Sequence, residues 1–155
     1  MDNKYNVIDL FSGAGGLSLG FEKIGFENVF SVDFMKDYCD TYRINFPNHK
    51  LIQKDISELS DEEIKKLTQN KDVDVVVGGP PCQGFSMAGN IGRTFVNDPR
   101  NHLFKEFARV VSLTKPKIFV MENVARLFTH NKGKTRKDII KEFKKLGYDV
   151  KCKLL

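Results

Sequence analysis

Residues 9–17 read DLFSGAGGL, a glycine-rich turn between an apolar run at Tyr5–Phe11 and helical spacing from Leu17 to Ile24. Small residues in such a turn let the backbone approach a ligand, and the amides at a helix start favour polar or anionic atoms. A dinucleotide fingerprint would have its third glycine where Ser18 stands, so the spacing departs from an NAD site. The turn indicates a nucleotide-type cofactor, although a plain tight turn would use the same glycines.

Strand-like and helix-like stretches alternate along the chain, which is the pattern of crossover units around a parallel sheet. Apolar runs predict six strands, at Tyr5–Phe11, Asn28–Val32, Lys50–Gln53, Val73–Val77, Ile118–Met121 and Tyr148–Leu155. Helical spacing predicts five helices, at Leu17–Ile24, Lys36–Asn45, Ser60–Thr68, Asn101–Leu113 and Thr135–Leu146. The fourth predicted strand is apolar except for Asp74 and the fifth is apolar throughout, as in strands buried on both faces. The sequence therefore predicts an α/β fold with a doubly wound, mostly parallel sheet.

Length and composition fit one domain over residues 1–155, long enough to bury a substantial core. No apolar run approaches the roughly 18 residues that span a membrane, and the N-terminus has no signal-peptide layout. We therefore expect no membrane partner. Cys39, Cys82 and Cys152 are far apart and odd in number, which is the spacing of neither a disulfide framework nor a metal site. A reducing cytoplasm is the expected location.

The net charge of +5 is unevenly distributed along the chain. Residues 130–155 carry nine Lys or Arg and three Asp or Glu. Such a basic end could face the phosphates of a nucleic acid, or it could be the solvated face of one helix. Charge alone does not decide between these interpretations.

Acidic residues follow the second and third predicted strands, at Asp33 and Asp55. A carboxylate at the first position could accept hydrogen bonds from ribose hydroxyls, and one at the second could accept from an adenine amino group. Open α/β sheets bind their ligands at the carboxyl ends of adjacent strands. The glycine-rich turn, Asp33 and Asp55 therefore predict one nucleotide-type site.

A second group of residues joins a thiol to a carboxylate. Cys82 follows two prolines at the end of the fourth predicted strand, and Glu122 ends the strand expected beside it. The loop at residues 84–101 is long for a compact domain, and such loops are usually functional. Most lone cysteines are simply buried apolar groups. A nearby carboxylate disfavours a thiolate, so the pair does not indicate a Cys–His hydrolase. It fits a thiol and an acid that hold one substrate ring from two sides.

Four motifs, in this order and spacing, resemble those of the cytosine-5 DNA methyltransferases: DLFSGAGGLSLGF at 9–21, GGPPCQGFS at 78–86, DPRNHLF at 98–104 and MENV at 121–124. The resemblance covers essentially all 155 residues. It implies the Rossmann-like fold of methyltransferases that use S-adenosylmethionine. It implies methyl transfer to C5 of a cytosine flipped out of double-stranded DNA. The form of the second motif resembles bacterial restriction–modification enzymes, which implies a bacterial cytoplasmic location.

The resemblance also assigns individual residues to cofactor and substrate. The S-adenosylmethionine contacts that it implies are Phe11, Gly13, Gly15, Gly16, Leu17, Asp33, Phe34, Asp55, Ile56, Pro81 and Leu103. Cys82 would add to C6 of the cytosine, Glu122 would hold N3 and the exocyclic amine, and Asn123 would shape the pocket. Gln83 and Ser86 would open the loop that closes over DNA. Asp33 stands where the family usually has a glutamate.

The 155 residues contain no counterpart of the family's Gln-x-Arg-x-Arg segment, target recognition domain or final cofactor-pocket helix. We therefore expect a C-terminally incomplete fold, in which the strand at Tyr148–Leu155 lacks its usual neighbour. The chain would then be either a split-enzyme subunit that needs a second polypeptide or a truncated, inactive form. The same motifs would also suit a noncatalytic S-adenosylmethionine-binding module or a tRNA cytosine-5 methyltransferase. Retention of Cys82 and Glu122 favours catalysis, and the motif forms favour DNA.

Overall fold

The computed structural model describes residues 4–69, 71–81 and 102–155. Cys82, Gln83 and Ser86 lie outside the described residues, so their roles stay predictions. The strands are β1 (Asn6–Leu10), β2 (Glu27–Asp33), β3 (Leu51–Gln53), β4 (Val75–Gly78) and β5 (Ile118–Met121). The helices are α1 (Gly16–Lys23), α2 (Lys36–Asn45), α3 (Asp61–Leu67), α4 (His102–Thr114) and α5 (Lys134–Lys145). Short 3₁₀ turns lie at Ile56–Glu58, Ala125–Phe128 and His130–Gly133.

The five strands form one sheet in the order β3-β2-β1-β4-β5, and every neighbouring pair is parallel. The chain runs outward from β1 to β3 and then returns to the other side of β1 at β4. This reversal makes a switch point between β1 and β4, where open α/β sheets form a crevice at the carboxyl ends of their strands. The predicted parallel α/β sheet is confirmed.

Helices cover both faces of the sheet because alternate side chains of each strand point to opposite sides. On one face Val7, Val75 and Val77 form an apolar cluster against which Leu17 and Phe21 of α1 pack. The opposite face carries the larger core, which joins β1 and β2 to α4 and α5 and includes Ile8, Leu10, Phe30, Val32, Phe107 and Phe143. The sheet is therefore doubly wound, as predicted.

The predicted helix start at Ser60 is confirmed in detail. The Ser60 hydroxyl accepts a hydrogen bond from the Glu63 amide at 3.2 Å, and the Glu63 carboxylate accepts one from the Ser60 amide at 2.8 Å. This reciprocal capping box satisfies two amides that the first turn of α3 leaves without helical partners. None of the helices in the described ranges is long and apolar enough to cross a membrane.

Two sequence-based expectations about the β5 side are wrong. β5 is not buried on both faces: Ile118 is 58% exposed and Val120 is 42% exposed, because no described element covers the side to which they point. Residues Tyr148–Leu155 form no strand. The Tyr148 ring instead packs edge-on against Phe119 and donates a hydrogen bond to the Pro116 carbonyl, so the chain stays over a face of β5.

Candidate functional site

The turn between β1 and α1 has an unusual backbone. Phe11, Gly13 and Gly15 all adopt positive φ angles, of 57°, 53° and 96°. Glycine takes this conformation without penalty, but a bulky residue such as Phe11 is strained by it. The Ser12 amide donates to the Val32 carbonyl at 3.0 Å and so ties the turn to β2. Backbone strain of this kind concentrates at ligand-binding sites, and it lies here at a predicted cofactor contact.

Asp33, at the end of β2, holds this turn in place. Its Oδ2 accepts a hydrogen bond from the Gly13 amide at 2.8 Å, and its Oδ1 accepts one from the Met35 amide at 2.9 Å. The residue is only 9% exposed. Each carboxylate oxygen keeps a further lone pair, so a ligand hydroxyl can still donate to Asp33. The side chain therefore organises the turn and also retains the acceptor capacity expected of a ribose contact.

A cavity of about 310 Å³ opens at the carboxyl ends of the strands. Its volume is at the lower end of the range for small-molecule sites. Eight of the eleven predicted cofactor contacts line it: Phe11, Gly13, Asp33, Phe34, Asp55, Ile56, Pro81 and Leu103. Five further residues complete the wall: Val32, Met35, Tyr38, Lys54 and Gly79. The structure thus brings together residues that are up to 92 positions apart in the sequence.

Gly15, Gly16 and Leu17 do not belong to this wall, and their cofactor contacts stay predictions. Gly15 has a structural reason to be glycine, because a methyl group at its Cα would collide with the rings of Phe46 and Tyr42. Leu17 packs against the valine cluster of β1 and β4. A methyl group on Gly16 would meet no atom within 4 Å. Part of this motif therefore serves helix packing and not the cavity.

Arg109 of α4 fixes the wall that Asp55 and Ile56 provide. Its guanidinium donates to the carbonyls of Ile56 and Leu59, at 3.1 and 2.9 Å, and also to the carboxylates of Asp61 and Glu106. These bonds tie the turn after β3 to the helix that carries Leu103 on the other side of the cavity. A partly buried guanidinium with four acceptors makes strong, charge-assisted hydrogen bonds, so the two walls are held together.

A buried polar network lies beneath the glycine-rich turn. Asp9 is fully buried and accepts hydrogen bonds from the amide and the hydroxyl of Ser18, at 3.1 and 2.6 Å. The Tyr42 hydroxyl bonds to the hydroxyls of Ser18 and Ser31, at 2.8 and 2.7 Å. Burial raises the pKa of Asp9 to about 6. The network fastens the first turn of α1 to β1 and α2, behind the candidate cofactor site.

The predicted catalytic carboxylate lies on the β4–β5 side of the same edge. The Glu122 amide donates to the Gly78 carbonyl at 3.0 Å, and a methyl group at Gly79 would come within 2.9 Å of Glu122 Oε2. The Asn123 side-chain amide donates to the Pro80 carbonyl at 3.0 Å. Pro81, the next residue, lines the cavity. Glu122 and Asn123 therefore lie beside the backbone that leads directly to Cys82.

Sequence reasoning missed Met35, Tyr38, Lys54 and Arg109. Tyr38 lies in the first turn of α2, four residues beyond Phe34, and both aromatic side chains are about half exposed at the cavity. An aromatic residue that recurs at this spacing after Asp33 was a usable signal. Lys54 stands next to Asp55 in the sequence, so its position in the wall was also within reach. Arg109 gave no signal, because its two carbonyl acceptors come from a segment about 50 residues away.

Residues 5–155 match the family of C-5 cytosine-specific DNA methylases. The chain is 66% identical over 148 residues to the type II methyltransferase M1.HphI of Haemophilus parahaemolyticus, covering 96% of this chain and 40% of that protein. It is 44% identical over 149 residues to the type II methyltransferase M.FnuDI of Fusobacterium nucleatum, covering 96% of this chain and 41% of that protein. The chain thus spans about 40% of the length of these relatives.

The chain is also similar to solved structures of methyltransferases. A DNA modification methyltransferase encoded within an E. coli prophage superposes with a TM-score of 0.75 at 38% identity, over 92% of this chain and 38% of that one. DNMT2 of Spodoptera frugiperda superposes with a TM-score of 0.65 at 28% identity, over 90% of this chain and 41% of that one. The fold and the sequence therefore agree on one group of relatives.

Proposed function

The chain belongs to the C-5 cytosine-specific DNA methylase family, and we propose that residues 1–155 form the cofactor-binding, catalytic domain of a type II DNA methyltransferase. Enzymes of this family depend on S-adenosylmethionine. The observation that carries the proposal is the cavity at the carboxyl edge, because eight predicted cofactor contacts line it and Pro81 joins it to the predicted nucleophile. By analogy with its bacterial relatives, the enzyme would act on DNA in the bacterial cytoplasm.

The lining of the cavity fits S-adenosylmethionine. Phe11, Ile56 and Leu103 offer apolar surface to a flat adenine ring, and Asp33 and Asp55 offer carboxylate acceptors to ribose hydroxyls and an exocyclic amine. Ligand sites typically combine such apolar walls with a few well-placed polar groups. When bound, the cofactor supplies the electrophilic methyl group that cytosine C5 receives. The turn at residues 11–15 is already held by Asp33, so little rearrangement would be needed for binding.

Cys82 and Glu122 would activate the cytosine ring. Cytosine C5 is a poor nucleophile until the Cys82 thiolate forms a bond to C6, which makes C5 electron-rich. Glu122 would protonate or hydrogen-bond N3 and so draw electron density away from C6 during the addition. Asn123 would keep the Pro80–Pro81 backbone in register with Glu122 through its bond to the Pro80 carbonyl. After C5 has been methylated, loss of its proton and rupture of the bond from Cys82 to C6 would restore the aromatic ring.

Methylation needs the base outside the duplex, because C5 and C6 are inaccessible to a thiol within the stack. Gln83 and Ser86 would open the loop that closes over the flipped base. A target recognition domain and the Gln-x-Arg-x-Arg segment are not among the 155 residues. We propose that a further segment or a second polypeptide supplies them, and that the isolated chain binds cofactor but transfers little or no methyl group.

Covalent trapping tests the proposal. The chain, supplemented with the C-terminal portion of a close relative, is incubated with S-adenosylmethionine and duplex DNA that carries 5-fluorocytosine at the target. The fluorine blocks the final elimination, so we expect a covalent complex with the wild-type chain and none with Cys82→Ser. Cys152→Ser is the matched control, because Cys152 is exposed beyond the end of α5 and does not line the cavity. Trapping by Cys82→Ser at the wild-type level would refute the assignment.

A further inference from the structure

A run of positive charge follows Glu122 directly. Between residues 123 and 137 the chain carries five cations and no acid: Arg126, Lys132, Lys134, Arg136 and Lys137. We call this stretch the basic segment. It covers the two 3₁₀ turns after β5 and the first turn of α5. Charge of one sign, concentrated over so short a distance, creates a local potential that attracts polyanions.

The fold places the basic segment at the catalytic edge of the sheet. β5 ends at Met121, so the 3₁₀ turns that follow begin at the carboxyl edge, where Glu122 lies beside Gly79. α5 then runs back towards the start of β5, because Tyr148, just beyond its end, donates to the carbonyl of Pro116. The helix therefore begins near the site and ends at the opposite edge. At 1.5 Å per residue, its two ends are about 17 Å apart.

The positive charge of the basic segment is not neutralised by carboxylates of the described ranges. Within those ranges none of its five cations forms an ion pair, whereas Lys54, Lys71, Lys117 and Lys145 each do. Arg136 is partly covered and stacks on the Phe128 ring, with 4.9 Å between its guanidinium carbon and the ring centroid. The remaining four cations are exposed: Arg126, Lys132, Lys134 and Lys137. Four exposed charges are thus available to a ligand.

The backbone holds these charges in a defined arrangement. Asn131, Lys132 and Gly133 form three consecutive left-handed residues, with φ of 49°, 54° and 77°. The turn is closed from inside by a 2.7 Å hydrogen bond between His130 Nδ1 and the hydroxyl of Thr135, which is fully buried. Burial and the nearby Arg126 lower the pKa of His130, which agrees with a positive local environment. Two strained non-glycine residues indicate a fixed turn, because such strain persists only where the surroundings enforce it.

We propose that Arg126, Lys132, Lys134 and Lys137 contact backbone phosphates of the DNA next to the flipped cytosine. This surface deepens the proposed function and rests on it, because the DNA is placed by the position of Glu122. The lysine face of α5 continues through Lys141 and Lys144 at helical spacing, but these residues lie towards the far end of the helix. Phosphate contact would therefore be confined to the end of α5 that begins at the catalytic edge.

Two charge reversals with the same spacing and the same net charge test this surface. Lys134→Glu/Lys137→Glu changes the proposed contact, and Lys141→Glu/Lys144→Glu changes an exposed pair on the same face of the same helix. Binding of the 155-residue chain to a fluorescent 20-base-pair duplex is followed by anisotropy between about 25 and 200 mM NaCl. We expect the first variant to weaken binding about tenfold or more and to reduce the salt slope by about 2, and the second to change both only slightly.

Equal losses in both variants would overturn the proposal, because they would show a general charge effect along a solvated face. A wild-type chain without measurable affinity for the duplex at 25 mM salt would overturn it as well. Thermal unfolding of both variants checks that the helix remains intact. Binding of S-adenosylhomocysteine to the same samples distinguishes the two proposals. A wild-type chain that does not bind it would count against the proposed function. The ratio of the DNA dissociation constants of the two variants would still decide the role of the basic segment.

Discussion

Asp33 and Glu122 are both carboxylates at the carboxyl end of a parallel strand, yet they differ in burial and in hydrogen bonding. Asp33 is nearly buried and accepts two amide hydrogen bonds that shape the glycine-rich turn. Glu122 is exposed and lies against Gly79. The proposed cofactor side is therefore organised by the protein alone, whereas the proposed catalytic side has an exposed carboxylate that a base could approach. Substitution of Asp33 should therefore lower the stability of the fold, whereas substitution of Glu122 should affect the reaction alone.

Of the two carboxylates, Glu122 should matter more for methyl transfer, and Glu122→Gln tests this. The amide cannot protonate N3, so we expect methyl transfer by the complemented enzyme to fall at least about 100-fold, the lower range for loss of a general acid. Because the carboxylate is exposed, the free energy of unfolding should change by less than about 0.5 kcal/mol. Transfer of labelled methyl and urea unfolding measure the two quantities. A large loss of stability with activity retained would show that Glu122 serves the fold and not the reaction.

Asp33→Asn should affect both quantities. One oxygen becomes an NH₂ group that cannot accept from the Gly13 or Met35 amide, and an unsatisfied buried donor costs about 1–3 kcal/mol. We expect cofactor affinity to fall about tenfold, because the turn loses its clamp. Asp37→Asn, an exposed change of the same charge four residues away, is the control and should alter neither. Calorimetric titration and urea unfolding measure the two quantities. An Asp33→Asn chain as stable as the control would show that the hydrogen bonds of Asp33 do not hold the turn.

Arg109→Ala should loosen the wall formed by Asp55 and Ile56 without touching the cofactor. Removal of the guanidinium takes one donor from two carbonyls and two carboxylates, which should cost about 1–3 kcal/mol of unfolding free energy. We expect the dissociation constant for S-adenosylhomocysteine to rise several-fold and Arg109→Lys to restore part of it. Lys117→Ala, which breaks an ion pair with Asp74 before β5, is the control. A purely structural Arg109 would lower stability and leave the dissociation constant unchanged.

Asp9 should make the free energy of unfolding depend on pH. Asp9 has a folded-state pKa of about 6 against 3.8 when unfolded, because burial disfavours its charge. The folded state therefore binds the proton more tightly, and stability falls by up to about 3 kcal/mol as the pH rises from about 4 to 6. Asp9→Asn cannot titrate, so this part of the slope should disappear. Urea unfolding at pH 4.5, 5.5, 6.5 and 7.5 compares the two chains; parallel profiles would contradict the prediction.

The sequence predicted the β1-to-β5 core well because strong local signals coincide there. Apolar runs, a capping box at Ser60 and glycines at turns each fix structure over a few residues, and the described strands and helices follow them. The glycine-rich turn, Asp33 and Asp55 could be assigned to one site because carboxyl ends of adjacent parallel strands meet at one edge. The other predicted wall residues, Phe11, Phe34, Ile56, Pro81 and Leu103, were implied by the family resemblance.

The failures concern interactions between distant parts of the chain. Tyr148–Leu155 has the composition of a strand, but a strand forms only where another backbone offers hydrogen bonds, and Tyr148 packs over Phe119 instead. The exposure of Ile118 and Val120 depends on what covers β5, which no local pattern encodes. The clamp by Arg109 depends on acceptors that only the folded chain brings close.

The proposed function depends on the binding of S-adenosylmethionine in the carboxyl-edge cavity. Backbone amide chemical shifts of the ¹⁵N-labelled chain, recorded during titration with S-adenosylhomocysteine, test it most directly. We predict that saturable shifts concentrate at residues of the cavity wall, such as Gly13, Phe34, Asp55 and Ile56, and leave Lys117 and Tyr148 at the opposite edge unchanged. Absence of shifts at millimolar ligand, or shifts that concentrate away from the cavity, would show that the cavity does not bind the cofactor.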